Sequence, residues 1–99
     1  MIIYGIKNCD KVRAALKQSQ SQGEDVRLHD FRVDGIDASL VLAMLNDIEI
    51  EQLLNKRSTT WKQLDDADKS AISSDLLVQH PTLIKRPIVF ENGHYRIGL

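Results

Sequence analysis

The residue in this chain best equipped for covalent chemistry is Cys9, its only cysteine. It lies in Tyr4-Gly5-Ile6-Lys7-Asn8-Cys9-Asp10-Lys11-Val12-Arg13, between a short apolar run and a segment with helical spacing. Met1-Ile2-Ile3-Tyr4 reads as a buried strand that Gly5 breaks. Val12, Ala15 and Leu16 then fall at i, i+3 and i+4, one face of a helix. Cys9 is therefore expected in a strand-to-helix turn, at a helix N-terminus. Unpaired backbone N–H groups and the positive end of the helix dipole converge there. Both favour a thiolate, the nucleophilic form, over a thiol. Lys7, Lys11 and Arg13 add positive charge within a few residues. A lone cysteine is commonly a buried small hydrophobe. A polar turn holding Asn8 and Asp10 argues for a reactive thiol instead.

Other chemistries find little support. His29, His80 and His94 are scattered, and no Cys/His spacing suits a metal, so none is expected. There is no glycine-rich phosphate loop. A net charge of −1 gives no general attraction to nucleic acid or an anionic membrane. A single cysteine cannot form an internal disulfide, which fits a reducing compartment. The N-terminus enters a strand without a signal-peptide pattern, and no apolar run approaches the roughly 20 residues that span a bilayer. The 99 residues suit one domain with a modest core, and 42% apolar content fits a folded chain. The expectation is a soluble cytoplasmic monomer that engages neither nucleic acid nor membrane.

The elements that must hold Cys9 follow in order. A first helix is predicted over residues 10–20, with Gly23 as its C-terminal cap. Residues 24–31 read as a second strand, with Val26, Leu28 and Asp30 on one face and Arg27, His29 and Phe31 on the other. These three elements make a βαβ unit with parallel strands. Asp37 or Ser39 caps the next helix, whose stripe of Leu40, Val41, Met44, Leu45 and Ile48 faces a core. A short helical piece covers residues 49–54, and Asn55 to Trp61 form a polar, basic loop. In that loop Lys56 and Arg57 suit either a solvated patch or an anion site. Trp61 and Leu64 anchor a short helix. Another helix is predicted over residues 69–79, with Ala71, Ile72, Leu76 and Leu77 facing inward, ending at His80 and Pro81. Ile88-Val89-Phe90 is a strand with Pro87 before it, and Asn92-Gly93 turns the chain into a last antiparallel strand over 94–97.

The order is βαβ, then a helical insertion over about residues 37–80, then a ββ hairpin, all in one domain over 1–99. That order resembles an α/β thioredoxin-like fold with a mixed sheet, and here no C-terminal helix follows the last strand. By analogy with that fold, Arg86-Pro87 lies beside Cys9 and its peptide bond is cis.

Four stretches carry a more specific resemblance: Tyr4 to Asp10, His29-Asp30-Phe31-Arg32, Leu54 to Trp61, and Pro81 to Val89. Together they resemble the ArsC-like family, which takes in glutaredoxin-linked arsenate reductases, Spx regulators and YffB-type proteins. The likeness is nearest to the YffB type and covers the whole chain. It implies that Cys9 is the nucleophile and that Arg13 and Arg86 hold an anion, with Asn8 and Pro87 beside the cysteine. Asn55 and Gly98 stand where the arsenate reductases carry arginines, although Arg57 is a possible substitute for the first. These departures imply poor or no arsenate reduction. Val12 stands where Spx-type proteins often carry a second cysteine, so no dithiol switch is available. The resemblance thus implies a single-cysteine, glutathione-dependent thiol oxidoreductase, with glutathione or a glutaredoxin-type protein as reductant and no bound cofactor. Its alternatives are a non-enzymatic module that binds a protein partner, or a true arsenate reductase.

Overall fold

The computed structural model describes residues 1–99. Its contacts divide the chain into two units, one of residues 1–35 with 86–99 and the other of residues 36–85. The first unit holds β1 (Ile2–Gly5), α1 (Asp10–Ser21), β2 (Arg27–Asp30), β3 (Ile88–Glu91) and β4 (His94–Ile97). The sheet order is β2-β1-β3-β4. β1 runs parallel to β2, with Ile3 opposite Leu28, and antiparallel to β3, with Ile3 opposite Val89. β3 and β4 form the predicted hairpin, and Asn92 and Gly93 both have the positive φ that its two-residue turn requires. This is the mixed sheet of a thioredoxin-like fold, as the element order implied.

α1 lies against the face that carries Ile3 and Val89. Val12 and Ala15 are buried there with both strand residues, and Met1, Cys9, Leu16, Val26 and Leu28 pack around them. The helix ends as expected: Gly23 N–H donates to the Gln20 carbonyl and Glu24 N–H to that of Ser19. That pair of bonds satisfies carbonyls the helix itself leaves open.

Gly5 requires a correction. It does not break β1 but is its last residue, paired with Asp30. What demands glycine is the approach of α1. A Cβ at Gly5 would stand 2.5 Å from Cγ2 of Val12. The second strand is also shorter than predicted: Glu24 still bonds back to the helix, and the strand covers only Arg27–Asp30.

The opposite face of the sheet carries aromatic rings. Tyr4 stands 4.8 Å from His29 and 5.8 Å from Tyr95 between ring centroids, and Tyr95 stands 4.6 Å from Phe90. Burial, then the hydrogen bond and charge of Tyr95, push the Tyr4 phenol up to about 12 against the opposing charge of Arg27. Tyr4 therefore stays protonated at neutral pH and serves packing.

The second unit is helical: α2 (Ala38–Leu45), α3 (Ile50–Leu53), α4 (Thr59–Gln63), α5 (Asp66–Ser70), α6 (Ser74–Gln79) and a 3-10 turn at Pro81–Leu83. Four of the helices open on a side-chain cap. Asp37 accepts from Leu40 N–H, Ser58 from Trp61, Asp65 from Asp68 and Ser73 from Leu76. Each such cap is worth about 1 kcal/mol. Val41, Met44, Ile48, Leu53, Leu54, Leu76, Leu77, Leu83 and Ile84 are the unit's buried apolar residues.

Two expectations fail in this unit. The helix predicted over 69–79 is two helices broken at Ala71–Ser73, and Ala71 is exposed. Asp65 and Ser73 each start a helix of their own, so the chain restarts rather than continues. The loop predicted up to Trp61 ends at Ser58, whose hydroxyl opens α4. Trp61 sits in that helix with the ammonium groups of Lys56 and Lys69 over its ring at 5.6 and 5.7 Å.

Candidate active site

Cys9 is the N-cap residue of α1, with extended backbone (φ −89°, ψ 126°). Its carbonyl accepts from Arg13 N–H at 3.0 Å, the first bond of the helix. Its own N–H donates to the Ile6 carbonyl at 3.0 Å, closing a tight turn through Lys7 and Asn8. The side chain makes no cap hydrogen bond. The half-buried thiol therefore packs against the α1 cluster on one side without filling the cap role itself. Serine or aspartate would normally supply an acceptor to the first-turn N–H groups here. A sulfur at this position leaves those donors and the helix dipole for an anion.

The turn is fixed from a distance. Lys7 N–H donates to one carboxylate oxygen of Asp30 at 2.9 Å, across 23 residues of sequence. The other oxygen accepts from Arg32 N–H at 2.7 Å. Asp34 in turn accepts from Asp30 N–H at 2.9 Å, and Phe31 N–H bonds the Gly5 carbonyl at 2.8 Å. Asp30 is only 6% exposed. Burial raises its pKa, but the N–H groups of Lys7, Arg32 and Val33 and the charge of Arg32 outweigh that and hold the carboxyl below its usual value.

A depressed folded-state value means stability that is fully present above the unfolded-state pKa, near 3.8, and lost as pH falls through the lower folded one. Denaturant midpoints of the wild type should therefore drop below about pH 4, and those of Asp30→Asn should drop less steeply. Parallel acid limbs in the two proteins would show that Asp30 contributes nothing to the pH dependence.

The other candidate residues are placed as follows. Asn8 is exposed in the turn before Cys9. Arg13 is exposed and ion-paired with Asp10 one turn back, so an incoming anion competes with that carboxylate. Arg86 is half-buried, Pro87 is buried, and the bond between them is cis, as the fold analogy required. Since Tyr4 pairs with Ile88, the end of β1 that leads to Cys9 lies beside the start of β3, which Arg86-Pro87 precedes. Pro87 also lines an open groove of about 290 Å³ with Lys11, Ala14, Gln18 and Gly98. Gly98 N–H donates to the Pro87 carbonyl at 2.8 Å, and Gly98 has a φ of 73°. An arginine would be strained in that left-handed conformation. Asn55 braces its own loop. Its side-chain oxygen accepts from Arg57 N–H at 3.0 Å and its carbonyl from the Ser58 hydroxyl at 2.8 Å. Arg57 is exposed, in the second unit.

A model of the ArsC family matches residues 4–99, from β1 to the end of the chain. The chain belongs to the ArsC family. An uncharacterized protein of Haemophilus influenzae is 42% identical to it over 100 residues, covering 97% of this chain and 88% of that one. Among solved ArsC-like structures, a YffB protein superposes with a TM-score of 0.91 at 27% identity, over 99% of this chain and 90% of its own. An arsenate reductase-related protein from Brucella melitensis gives a TM-score of 0.81 at 32% identity, over 99% and 85% of the two chains. No helix of this family member is long and apolar enough to cross a membrane.

Asp30 is the site residue that sequence reasoning passed over. It counted as one position of an alternating strand, and its link to Lys7 is tertiary. The available signal was an acidic residue expected on the buried face of a strand, where an unpaired carboxylate is costly.

Proposed function

We propose that this ArsC-family protein is a glutathione-dependent thiol oxidoreductase with Cys9 as its single nucleophile and little activity on arsenate. The observation that carries the reading is the position of Cys9. The chain's only sulfur nucleophile is the N-cap of a twelve-residue helix, partly open to solvent and without a cap bond of its own. Its thiolate attacks one sulfur of a disulfide substrate. The Cys9–sulfur bond forms, the substrate S–S bond breaks, and the other sulfur leaves as a thiolate. No second cysteine exists to resolve the mixed disulfide. A glutathione thiolate then attacks it, freeing Cys9 and carrying the substrate's first sulfur away as a glutathione disulfide. Arg86 and Lys7 are the cations proposed to hold glutathione carboxylates near this turn. Arg13 contributes only when its pair with Asp10 opens. Low arsenate activity follows from the missing guanidinium groups at Asn55 and Gly98.

The test is mass spectrometry after incubation with oxidised glutathione. One glutathione per chain on Cys9, removed by reduced glutathione, is the expected result. A folded chain that stays unmodified while free cysteine in the same tube is consumed would remove the proposal. Arsenate reduction at a rate matching the disulfide reaction would replace it with the arsenate reductase reading.

A further inference from the structure

We infer that Asp30 is a positioning residue for Cys9: its buried carboxylate bolts the Lys7–Asn8 turn to the end of β2 and so sets where the cysteine caps α1. The inference rests on the reactive-thiol reading of Cys9, but not on the identity of the second substrate.

Three observations support it. The Ile6-to-Cys9 turn is closed by one hydrogen bond of its own, from Cys9 N–H to the Ile6 carbonyl. Lys7 N–H, at the first corner of that turn, donates to Asp30 rather than to water. Asp30 is in turn held rigid, since its N–H is bound by the Asp34 side chain and its second oxygen by Arg32 N–H. One carboxylate thus ties two turns that are far apart in sequence. Both carboxylate oxygens of Asp30 are in use, one by Lys7 N–H and the other by Arg32 N–H. A water is a poor replacement at a site only 6% exposed.

Charge and position predict opposite signs. If Asp30 acted on Cys9 only through its negative charge, neutralising it would favour the thiolate and speed alkylation. If it acts by position, loosening the turn moves the sulfur off the helix terminus and slows it.

The experiment is the rate of Cys9 alkylation by iodoacetamide, near neutral pH and well below the unfolding temperature, in folded wild type, Asp30→Asn, Asp30→Ala and Asp34→Ala. Iodoacetamide reads the thiol without glutathione, so the outcome stands even if the glutathione reading fails. Both Asp30 variants are expected to react roughly three- to tenfold more slowly than wild type, Asp30→Ala the slower. Asp34→Ala removes one of the contacts that hold Asp30 but keeps the carboxylate on Lys7, so it is expected to slow alkylation less than either Asp30 variant. Unchanged or faster alkylation in Asp30→Asn overturns the inference, as does equal slowing in Asp34→Ala. If neither Asp30 variant folds, hydrogen exchange of the wild-type Lys7 amide decides. Protection supports the inference, and exchange at the rate of a free amide overturns it.

Discussion

Cys9→Ser should reduce mixed disulfides no faster than the uncatalysed background, while folding as well as or better than the wild type. The two halves of this expectation come from one geometric fact. The thiol occupies an N-cap position but makes no cap hydrogen bond. Serine is among the preferred N-cap residues, since its hydroxyl accepts from an N–H of the first helical turn. The substitution is therefore expected to leave stability unchanged or raise it by up to about 1 kcal/mol. The hydroxyl cannot replace the thiolate, because disulfide exchange needs a sulfur nucleophile and the chain has no other. Chemical denaturation together with a glutathione-coupled turnover assay reads both halves. A stable variant that keeps its full biological function would assign the protein a non-enzymatic binding role instead. A variant that loses stability would show that the sulfur is a packing residue.

Gly5→Ala carries the largest expected loss of stability. The added methyl would meet Cγ2 of Val12 at 2.5 Å, far inside van der Waals contact. Val12 cannot yield, being fully buried among Ile3, Ala15 and Val89. The helix must instead lift from the strand, at a cost of about 1–3 kcal/mol or more. Because Cys9 stands three residues before Val12, the same displacement carries the cysteine with it. The mechanism has a distinctive signature. Val12→Ala removes the atom that Gly5→Ala collides with, so the double variant should be less destabilised than the sum of the single ones. Denaturant unfolding of all four proteins measures that coupling. Additive losses would show that the contact between Gly5 and Val12 does not determine how α1 sits.

Local chemistry was legible where a short stretch carries its own reason. The helix opening at Asp10, its exit at Gly23, the Asn92-Gly93 hairpin and the cap expected at Asp37 or Ser39, which falls to Asp37, each depend on residues within a few positions of one another. The parallel pairing of β1 with β2 followed from the helix that joins them in a βαβ unit. Three features depended on something else. Gly5 looked like a terminator because the helix that needs its bare Cα lies across the fold rather than along the chain. Residues 69–79 looked like one helix because leucines and an isoleucine recur at suitable spacings. Two strong N-caps, Asp65 and Ser73, outweighed that periodicity. Asp30 showed only that an acidic residue stood on the buried face of a strand; its partner Lys7 arrives only when β1 and β2 align. Of the candidate site, the place of Cys9 at the opening of α1 was legible from the change of period, while the Asp30 brace emerged only from the folded chain.

The most direct test compares the rate at which oxidised glutathione modifies Cys9 in the folded chain and in the same chain unfolded by urea, near neutral pH. If the helix terminus and its turn activate this sulfur, the folded chain reacts faster despite its partial burial, and reduced glutathione restores the free thiol. A folded chain that reacts more slowly than the unfolded one would mean that the fold shelters Cys9 rather than arming it.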